Sequence, residues 1–568
     1  MTPLDMRPLL LLALLALAST AHAQTCEPAR ATSALEQAGV RAQLFNNGAL
    51  FWRDDASPRG YEVPRGAGIH SVFHASLWIA GRVNGQDRFA GSRYGPYEYW
   101  PGPLDADGQT DADRCAAYDR IWRVTLEDIA RYNTTGEATA DLAEWPAEAG
   151  APVVDGSGDP DDYDLAAGDR PAILGDETAW WIMNDRGDTH DWSELAAIGI
   201  EVRVTAFTIS ESYATRLGFS RADARSLHHA TVYRYTLTYR GDEPLDNAYL
   251  GWFADTEIGY FNDDFVGSEP EQGMAYTYNA DVEDGAAWRT NNPTYGTQPP
   301  ALGVRFLSGP AEKRLGCFMW NTFLSSNPSG TNPGPDAYGY LQCLWRHGSP
   351  VTFGNNGFIS GPETDYMFPG RPPEYWSELN IDGLGTPNTP GDRWLIQSHG
   401  PFALAPEQTV EITVALPWAR SERGHLGSVR ELIAHASPLL AAAVSDLEPD
   451  PDLSTITLGQ LPVPLPAAPV PPETPATDAV SASVQPNPTT GDTVLRLDLA
   501  RHAHVRLTVF DALGREVSVP VDGTLGPAIH RLAISTEGWP PGVYVYRLGV
   551  TPEQQSPIYA TGRFTVSR

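Results

Sequence analysis

The chain has 568 residues and a formal net charge of −32, because 71 Asp and Glu side chains oppose only 39 Lys and Arg. A surface of this charge repels nucleic acid and anionic membranes, so we expect neither as a partner. With 42% hydrophobic and 19% charged residues, the composition is that of a globular protein, and the length allows two or three domains. Abundant Gly, Pro, Trp and Tyr favour a turn-rich β protein over a helical one.

The N-terminus predicts a secretory signal peptide over residues 1–23. Arg7 precedes an apolar run at 9–17, and the tripeptide AHA at 21–23 has the pattern of a cleavage site. That run is too short to span a bilayer as a helix, and no other stretch of the sequence is long and apolar enough to do so. We therefore expect an exported chain that begins at Gln24 and has no transmembrane segment.

Residues 24–448 form a long body in which short apolar runs alternate with turn signals. Asn46-Asn47-Gly48 and Asn84-Gly85 separate apolar stretches and predict hairpins. Further on, alternate residues from Ile200 to Ala206 are apolar, as in a half-buried strand. Runs spaced this closely predict a large antiparallel β-sandwich. We also expect a short helix over 126–132 and a longer one over 428–447, interrupted at Pro438.

Beyond the body, residues 449–483 are rich in Pro and predict an extended, semi-rigid linker. Residues 484–568 again show strand patterning, with apolar residues at Val505, Leu507 and Val509. Gly, Pro, Asp and Asn bound each run, so this segment predicts a small antiparallel, Ig-like β-sandwich.

Three motifs in the last segment resemble a known family. PNP stands at 486–488, VFDALGREV at 509–517 and PPGVYVYRL at 540–548. In this order and at the extreme C-terminus, they are similar to the type A C-terminal sorting domain of the type IX secretion system. The resemblance implies passage through the periplasm and outer membrane by the type IX machinery, to the cell surface or the medium.

The body also resembles a group of large, uncharacterised secreted proteins that carry the same sorting domain. The matching phrases include SLWIAG, WPGPLD, GDRPAILGDETAWWIMND, YMFPG and GPFAL. This resemblance implies export and a shared fold. It assigns no activity and no catalytic residue.

Four cysteines enter an oxidising compartment if the chain is exported. Cys317 and Cys343 stand in strand-like runs joined by a polar loop, which favours a cross-strand disulfide and leaves Cys26 with Cys115. Buried free thiols are the alternative. No CxxC or paired-His spacing occurs, so zinc is not expected.

Acidic side chains are concentrated in the stretch FADTEIGYFNDDFVGSEPEQGMAYTYNAD. The residues that we predict to bind a cation there are Asp255, Glu257, Asp263 and Asp264. Oxygen ligands converging from strand ends and a loop suit Ca²⁺, and Gly259 and Gly267 would allow tight turns. A solvated acidic loop and a pair of catalytic carboxylates are the alternatives. Two further acidic loops, 105–113 and 155–164, lack the EF-hand pattern, and solvated loops or calcium sites both remain open for them.

A hydrolase is the rival interpretation of the body. Asp255 with Glu257, or Asp185 with Glu201, are the pairs that a glycosidase would need. If exposed, the aromatic pairs at 180–181 and 252–253 would stack on surface glycans; if buried, they belong to the core. Strand histidines such as His190 are expected to be packing residues, and HExxH, GxSxG and P-loop motifs are absent. We therefore expect an exported β protein with a non-catalytic binding or structural role, stabilised by calcium, with a glycosidase-like hydrolase as the alternative.

Overall fold

The structure is a computed structural model of the chain. It describes residues 25–53, 60–159, 162–285, 293–320, 336–358, 361–450, 452–461, 482–485, 487–499, 502–512, 515–526, 528–552 and 558–567. The predicted signal peptide and residues 462–481 of the predicted linker lie outside these ranges. Contacts divide the chain into two compact units, Met1–Val463 and Pro464–Arg568.

The first unit consists mainly of strands. In its described part these are β1 (Thr32–Leu35), β2 (Arg41–Phe45), β3 (Ala49–Leu50), β4 (Tyr61–Glu62), β5 (His70–Val83), β6 (Gln86–Ala90), β7 (Trp100–Pro101), β8 (Trp122–Thr125), β9 (Val153–Val154), β10 (Arg170–Pro171), β11 (Glu177–Asn184), β12 (Ile200–Thr208), β13 (Thr231–Tyr239), β14 (Leu245–Thr256), β15 (Asp264–Glu269), β16 (Met274–Asn279), β17 (Ala301–Ser308), β18 (Arg314–Trp320), β19 (Arg393–Leu404), β20 (Thr409–Leu416) and β21 (Trp418–Ala419).

Short helices lie between the strands and after them. Those of the described part are α1 (Ala112–Ala117), α2 (Leu126–Thr135), α3 (Ala140–Ala143), α4 (Glu211–Arg216), α5 (Arg221–Leu227), α6 (Ala337–Leu341), α7 (His425–Glu431) and α8 (Ser437–Ser445).

Two large antiparallel sheets pack face to face. Among the described residues, nine strands form the first sheet, with the main path β1-β2-β3-β5-β14-β19-β18. Ten strands form the second, with the main path β15-β16-β17-β20-β13-β12-β11-β7. One apolar core joins their inner faces, and Trp252 of β14 donates its indole N–H to Tyr235 of β13 across it, at 3.2 Å. The prediction of a large antiparallel sandwich is confirmed.

Local sequence patterns correctly predicted a hairpin and two helices. Asn84 and Gly85 both have positive φ, 52° and 76°, in a two-residue hairpin that pairs Val83 with Gln86. Helix α2 begins with a capping box, in which Thr125 and Asp128 bond reciprocally. The predicted C-terminal helix is also present. It comprises α7, a π-helical turn at Leu432–Ala436 and α8, and Pro438 lies in the first turn of α8, directly after the π-helical turn.

The structure differs from the sequence predictions at other elements. Helices α1, α3, α4, α5 and α6 were not predicted, because four to seven residues show too little periodicity to be distinguished from a loop. The predicted linker also begins later than expected. Leu453 and Ile456 are buried, and their carbonyls accept hydrogen bonds from the Asn133 side chain at 2.9 and 2.8 Å.

Both predicted disulfides are present, Cys26–Cys115 and Cys317–Cys343, each with a Cα–Cα distance of 5.8 Å. The expected strand around Cys343 is wrong, however. Cys317 lies in β18, whereas Cys343 follows α6 in a turn with φ of 55°. The predicted pairing is therefore present, but it joins a strand to the turn after a helix and does not join two strands.

The second unit is a small sandwich with its own apolar core. Its described strands are β22 (Ala482–Gln485), β23 (Thr493–Leu499), β24 (Ala503–Phe510), β25 (Glu516–Leu525), β26 (Ala528–Ile534), β27 (Gly542–Pro552) and β28 (Ile558–Val566). They form a three-stranded sheet, β22-β23-β26, and a four-stranded sheet, β25-β24-β27-β28. In β27 the buried face carries Tyr544 and Tyr546, and Val543 and Val545 are exposed, because the larger rings bury more apolar area.

Candidate functional site

The four predicted ligands lie where the chain passes from one sheet of the first unit to the other. Asp255 is the penultimate residue of β14 in the first sheet, and Glu257 directly follows that strand. Asp264 is the first residue of β15 in the second sheet, and Asp263 precedes it. A short connection thus brings two pairs of carboxylates to the same end of the sandwich.

Asp255 lies in a row of side chains that crosses three strands. Its cross-strand partners are His74 in β5 and Trp394 in β19, and a register shift follows in the pairing with β5. Such irregularities change the direction in which side chains point at the end of a sheet. Burial lowers the pKa of His74 to about 3, so its ring is neutral. Its Nδ1 lies 3.2 Å from the carbonyl of Trp52, and its Nε2 has no hydrogen-bond partner among the described residues.

Tyr94 covers this row from the loop after β6. Its hydroxyl donates a short hydrogen bond to Oδ2 of Asp255, whose other oxygen has no hydrogen-bond partner in the described part of the chain. The guanidinium of Arg93 lies over the rings of Tyr94 and Trp394, at 4.9 and 4.1 Å from their centroids. Asp255 is therefore only 3% exposed, and burial, followed by the charges of Glu257 and Asp392, raises its pKa well above the ordinary value.

Asp392 adds a third carboxylate that the sequence analysis missed. Thr256 pairs with Arg393, so Glu257 and Asp392 are opposite each other where β14 ends and β19 begins. Burial, and then the charge of Asp392, raises the pKa of Glu257 to about 8. At neutral pH this carboxyl therefore holds a proton.

Asp263 and Asp264 bind backbone groups of the surrounding loops. Oδ2 of Asp264 accepts the N–H of Ile258 at 2.9 Å, and Oδ2 of Asp263 accepts that of Gly285 at 2.8 Å. Burial raises the pKa of Asp263 to about 7 and that of Asp264 well above its ordinary range, where the neighbouring charge of Asp263 contributes. Oδ1 of Asp264, which is fully buried, has no hydrogen-bond partner among the described residues.

Asp284 completes this second group. Its two oxygens accept the N–H groups of Tyr260 at 2.8 Å and Tyr295 at 2.5 Å. Gly259 makes room for it: φ there is 74°, and a Cβ atom would lie 2.0 Å from Oδ2 of Asp284. Gly267 has a different role from the predicted turn, because it lies inside β15 and a Cβ there would lie 2.4 Å from the ring of Tyr276.

The predicted quartet thus divides into two groups. Asp255 and Glu257 interact with Asp392, whereas Asp263 and Asp264 interact with Asp284, and the charge of Glu257 also acts on Asp264. In the described ranges, no set of three or more His, Cys, Asp or Glu side chains is arranged to hold a metal ion. Calcium binding stays a prediction.

The other candidate pair, Asp185 and Glu201, makes structural contacts. The Asp185 carboxylate accepts three backbone N–H groups of residues 198–200, at 2.5–2.9 Å. Glu201 accepts the N–H of Leu104 at 3.0 Å and pairs with Arg203 at 2.9 Å. Both carboxylates therefore hold loops and strand ends together.

The aromatic pairs considered for sugar stacking are core residues. Trp180 and Trp181 are 1% exposed, and Trp252 and Phe253 are fully buried. His190 is also a packing residue, with both ring nitrogens 2.8 Å from backbone carbonyls. These positions confirm the core interpretation.

Four residues of the site were missed in the sequence: His74, Tyr94, Asp284 and Asp392. All except Asp284 lie far along the chain from Asp255. The polar start of β19, DRW, and the histidine in HASLW were the available signals, but single polar residues at strand ends are common.

No family model matches the chain, and no curated protein matches it. A solved polysaccharide lyase is similar over 65% of this chain and 34% of that one, with 10% sequence identity and a TM-score of 0.16. The chain thus spans about a third of that structure, and a TM-score this low carries no argument. In the described ranges, each helix is too short or too polar to cross a membrane.

Proposed function

We propose that this chain is an exported cell-surface or secreted β protein, whose C-terminal unit directs its export by the type IX secretion machinery. The main support for this proposal is that the C-terminal unit has its own apolar core. It can therefore fold independently of the body and serve as an export signal. The two disulfides of the first unit support an oxidising destination.

The positions of the three motifs support the same proposal. Asn487 of the PNP motif accepts the N–H of Thr565 at 2.9 Å, which ties the start of the unit to its last strand. Asp511 and Arg515 pair at 2.7 Å around the turn from β24 to β25. The third motif supplies β27, which pairs with both β24 and β28. The residues behind the resemblance are thus those that build this sandwich.

Deletion of residues 484–568 tests the export route. We expect the truncated chain to fold and remain in the periplasm. As the matched control, residues 482–568 are fused to an unrelated periplasmic domain, which should then reach the surface or the medium. Surface delivery of the truncated chain would contradict the sorting role.

For the body we propose a non-catalytic role, in which the two acidic groups stabilise the end of the sandwich. The contacts of Asp263, Asp264 and Asp284 with backbone N–H groups support this role. We also propose that Ca²⁺ binds there, through Asp255, Glu257, Asp263 and Asp264. Among the described residues, the Oδ1 atoms of Asp255 and Asp264 have no hydrogen-bond partner, and a bound cation would satisfy these buried oxygens.

A hydrolase is the second candidate, and one observation favours it. Glu257 is protonated at neutral pH and lies beside Asp392, as a general acid next to a second carboxylate would. Glu257→Gln and Asp392→Asn should then each abolish glycosidase activity in a screen of surface polysaccharides. If the unaltered protein cleaves none of them, this second candidate fails.

A further inference from the structure

On the outer face of the second sheet, three neighbouring strands carry an apolar row of side chains followed directly by a polar row. Phe207, Val232 and Ala415 form a buried row across β12, β13 and β20. The next outward row is Thr205, Arg234 and Thr413, and the one after it is Arg203, Thr236 and Glu411. Guanidinium and hydroxyl donors therefore stand side by side on a rigid sheet surface.

Two cavities open over this strip. One, of about 480 Å³, is lined by Arg234, Arg305 and Arg314. The other, of about 390 Å³, extends past Arg234 to Arg203. They share Arg234 with Val444 and Ser445 at the end of α8, and each is as large as a typical small-molecule site.

The larger cavity is lined by three arginines and one acidic residue. The guanidinium groups of Arg234 and Arg314 make no hydrogen bond or ion pair with any residue that the structure describes. Arg305 donates to the carbonyl of Ser437 at 2.7 Å, and burial together with the charge of Arg314 lowers its pKa. The acidic residue in the lining, Glu271, is exposed. In a chain of net charge −32, a locally positive cavity is unusual.

We propose that this arginine cavity binds a carboxylate or sulfate group of a small acidic sugar. Arginine forms charge-assisted hydrogen bonds with such oxyanions, and the hydroxyl of Thr413 beside Arg234 suits a polar ring. The overall negative charge repels densely charged polyanions, so the ligand carries one or two anionic groups. This inference is independent of the export route and of the acidic groups.

Calorimetric titration of the full mature chain tests the proposal. The probes are a uronic-acid disaccharide, a singly sulfated disaccharide and the neutral disaccharide of the same linkage. At least one acidic probe should bind about tenfold or more tightly than the neutral one, since one charge-assisted contact contributes at least that factor. The affinity should fall as salt rises from about 50 to about 500 mM, because salt screens the charges. The two acidic probes distinguish a carboxylate ligand from a sulfate ligand.

Arg234→Gln should weaken binding at least about tenfold. Arg131→Gln is the matched control: this exposed arginine of α2 pairs only locally with Glu127, so affinity should stay within about twofold of the parent. If Arg234→Gln melts at a lower temperature than the parent, Arg314→Gln provides the same test. Equal binding of the neutral probe, unchanged affinity in the arginine variants or no binding of either acidic probe would overturn the proposal.

Discussion

Glu257 and Asp392 lie opposite each other at the ends of two paired strands, and burial of Glu257, followed by the charge of Asp392, raises the pKa of Glu257 to about 8. One residue directly follows β14 and the other directly precedes β19. The first unit therefore contains two groups of buried and half-buried carboxylates whose protonation and folding are linked.

The first prediction concerns pH. The pKa of Glu257 is raised from 4.5 to about 8, so the folded unit binds more protons than the unfolded chain between these values. The free energy of unfolding therefore falls as pH rises through this window, in the absence of divalent cations. Asp392→Asn removes part of the repulsion and should reduce the loss of melting temperature between pH 5.5 and 8. Thermal denaturation in the presence of a chelator, at pH 5.5 and at pH 8, measures this loss of melting temperature.

Asp246→Asn is the control for that comparison, because Asp246 is an exposed residue of the same strand. The melting temperature of the Asp246→Asn variant should depend on pH in the same way as that of the parent. An Asp392→Asn protein that loses stability with pH as steeply as the parent would show that Asp392 does not act on Glu257.

The second prediction concerns calcium. A cation that binds only the folded state at one hundred times its Kd adds about 2.7 kcal/mol to the free energy of unfolding. Melting temperature should therefore rise with millimolar calcium at pH 8, and Asp263→Asn with Asp264→Asn should abolish the rise. The exposed pair Asp242→Asn with Glu243→Gln serves as control and should keep it. Calcium has no role here if the parent melts identically in calcium and in chelator.

The third prediction concerns the disulfide between Cys317 and Cys343, which are 26 residues apart in sequence. In the chain-entropy model, closing a loop of this length contributes roughly 3 kcal/mol. Replacing both cysteines with serine should lower the unfolding free energy by about that amount, measured by urea denaturation. Peptide mapping without reduction should recover the two cysteines in one linked fragment. Free thiols at both positions would contradict the pairing.

The fourth prediction separates backbone strain from steric contact at glycine. Gly259 and Gly85 have almost the same φ, 74° and 76°, but a Cβ at Gly85 would meet nothing within 4 Å. Gly85→Ala should cost about 1 kcal/mol for the left-handed conformation alone. Gly259→Ala should cost about 2 kcal/mol more, because it displaces Asp284 from the N–H groups of Tyr260 and Tyr295 and leaves buried groups unpaired. Equal losses in urea denaturation would mean that Asp284 can move freely.

Local patterns in the sequence were enough for most strands, the main turns and the longer helices. Alternation at residues 200–206 predicts β12, Asn84-Gly85 predicts its hairpin, and Pro438 marks the start of α8. Each of these depends on neighbouring residues, whose preferences act over a few positions. The acidic stretch after β14 was also recognisable, because carboxylates directly following a buried strand stand out in the sequence.

Only the tertiary structure decided what those carboxylates do. It placed Asp392 opposite Glu257, put Tyr94 and His74 around Asp255, and brought Asp284 to Asp263 and Asp264. It likewise gathered Arg234, Arg305 and Arg314 from three strands around one cavity. The pKa of a carboxyl and the pairing of a guanidinium depend on burial and on charges contributed by distant segments. Sequence spacing carries no information about either until the strands are paired.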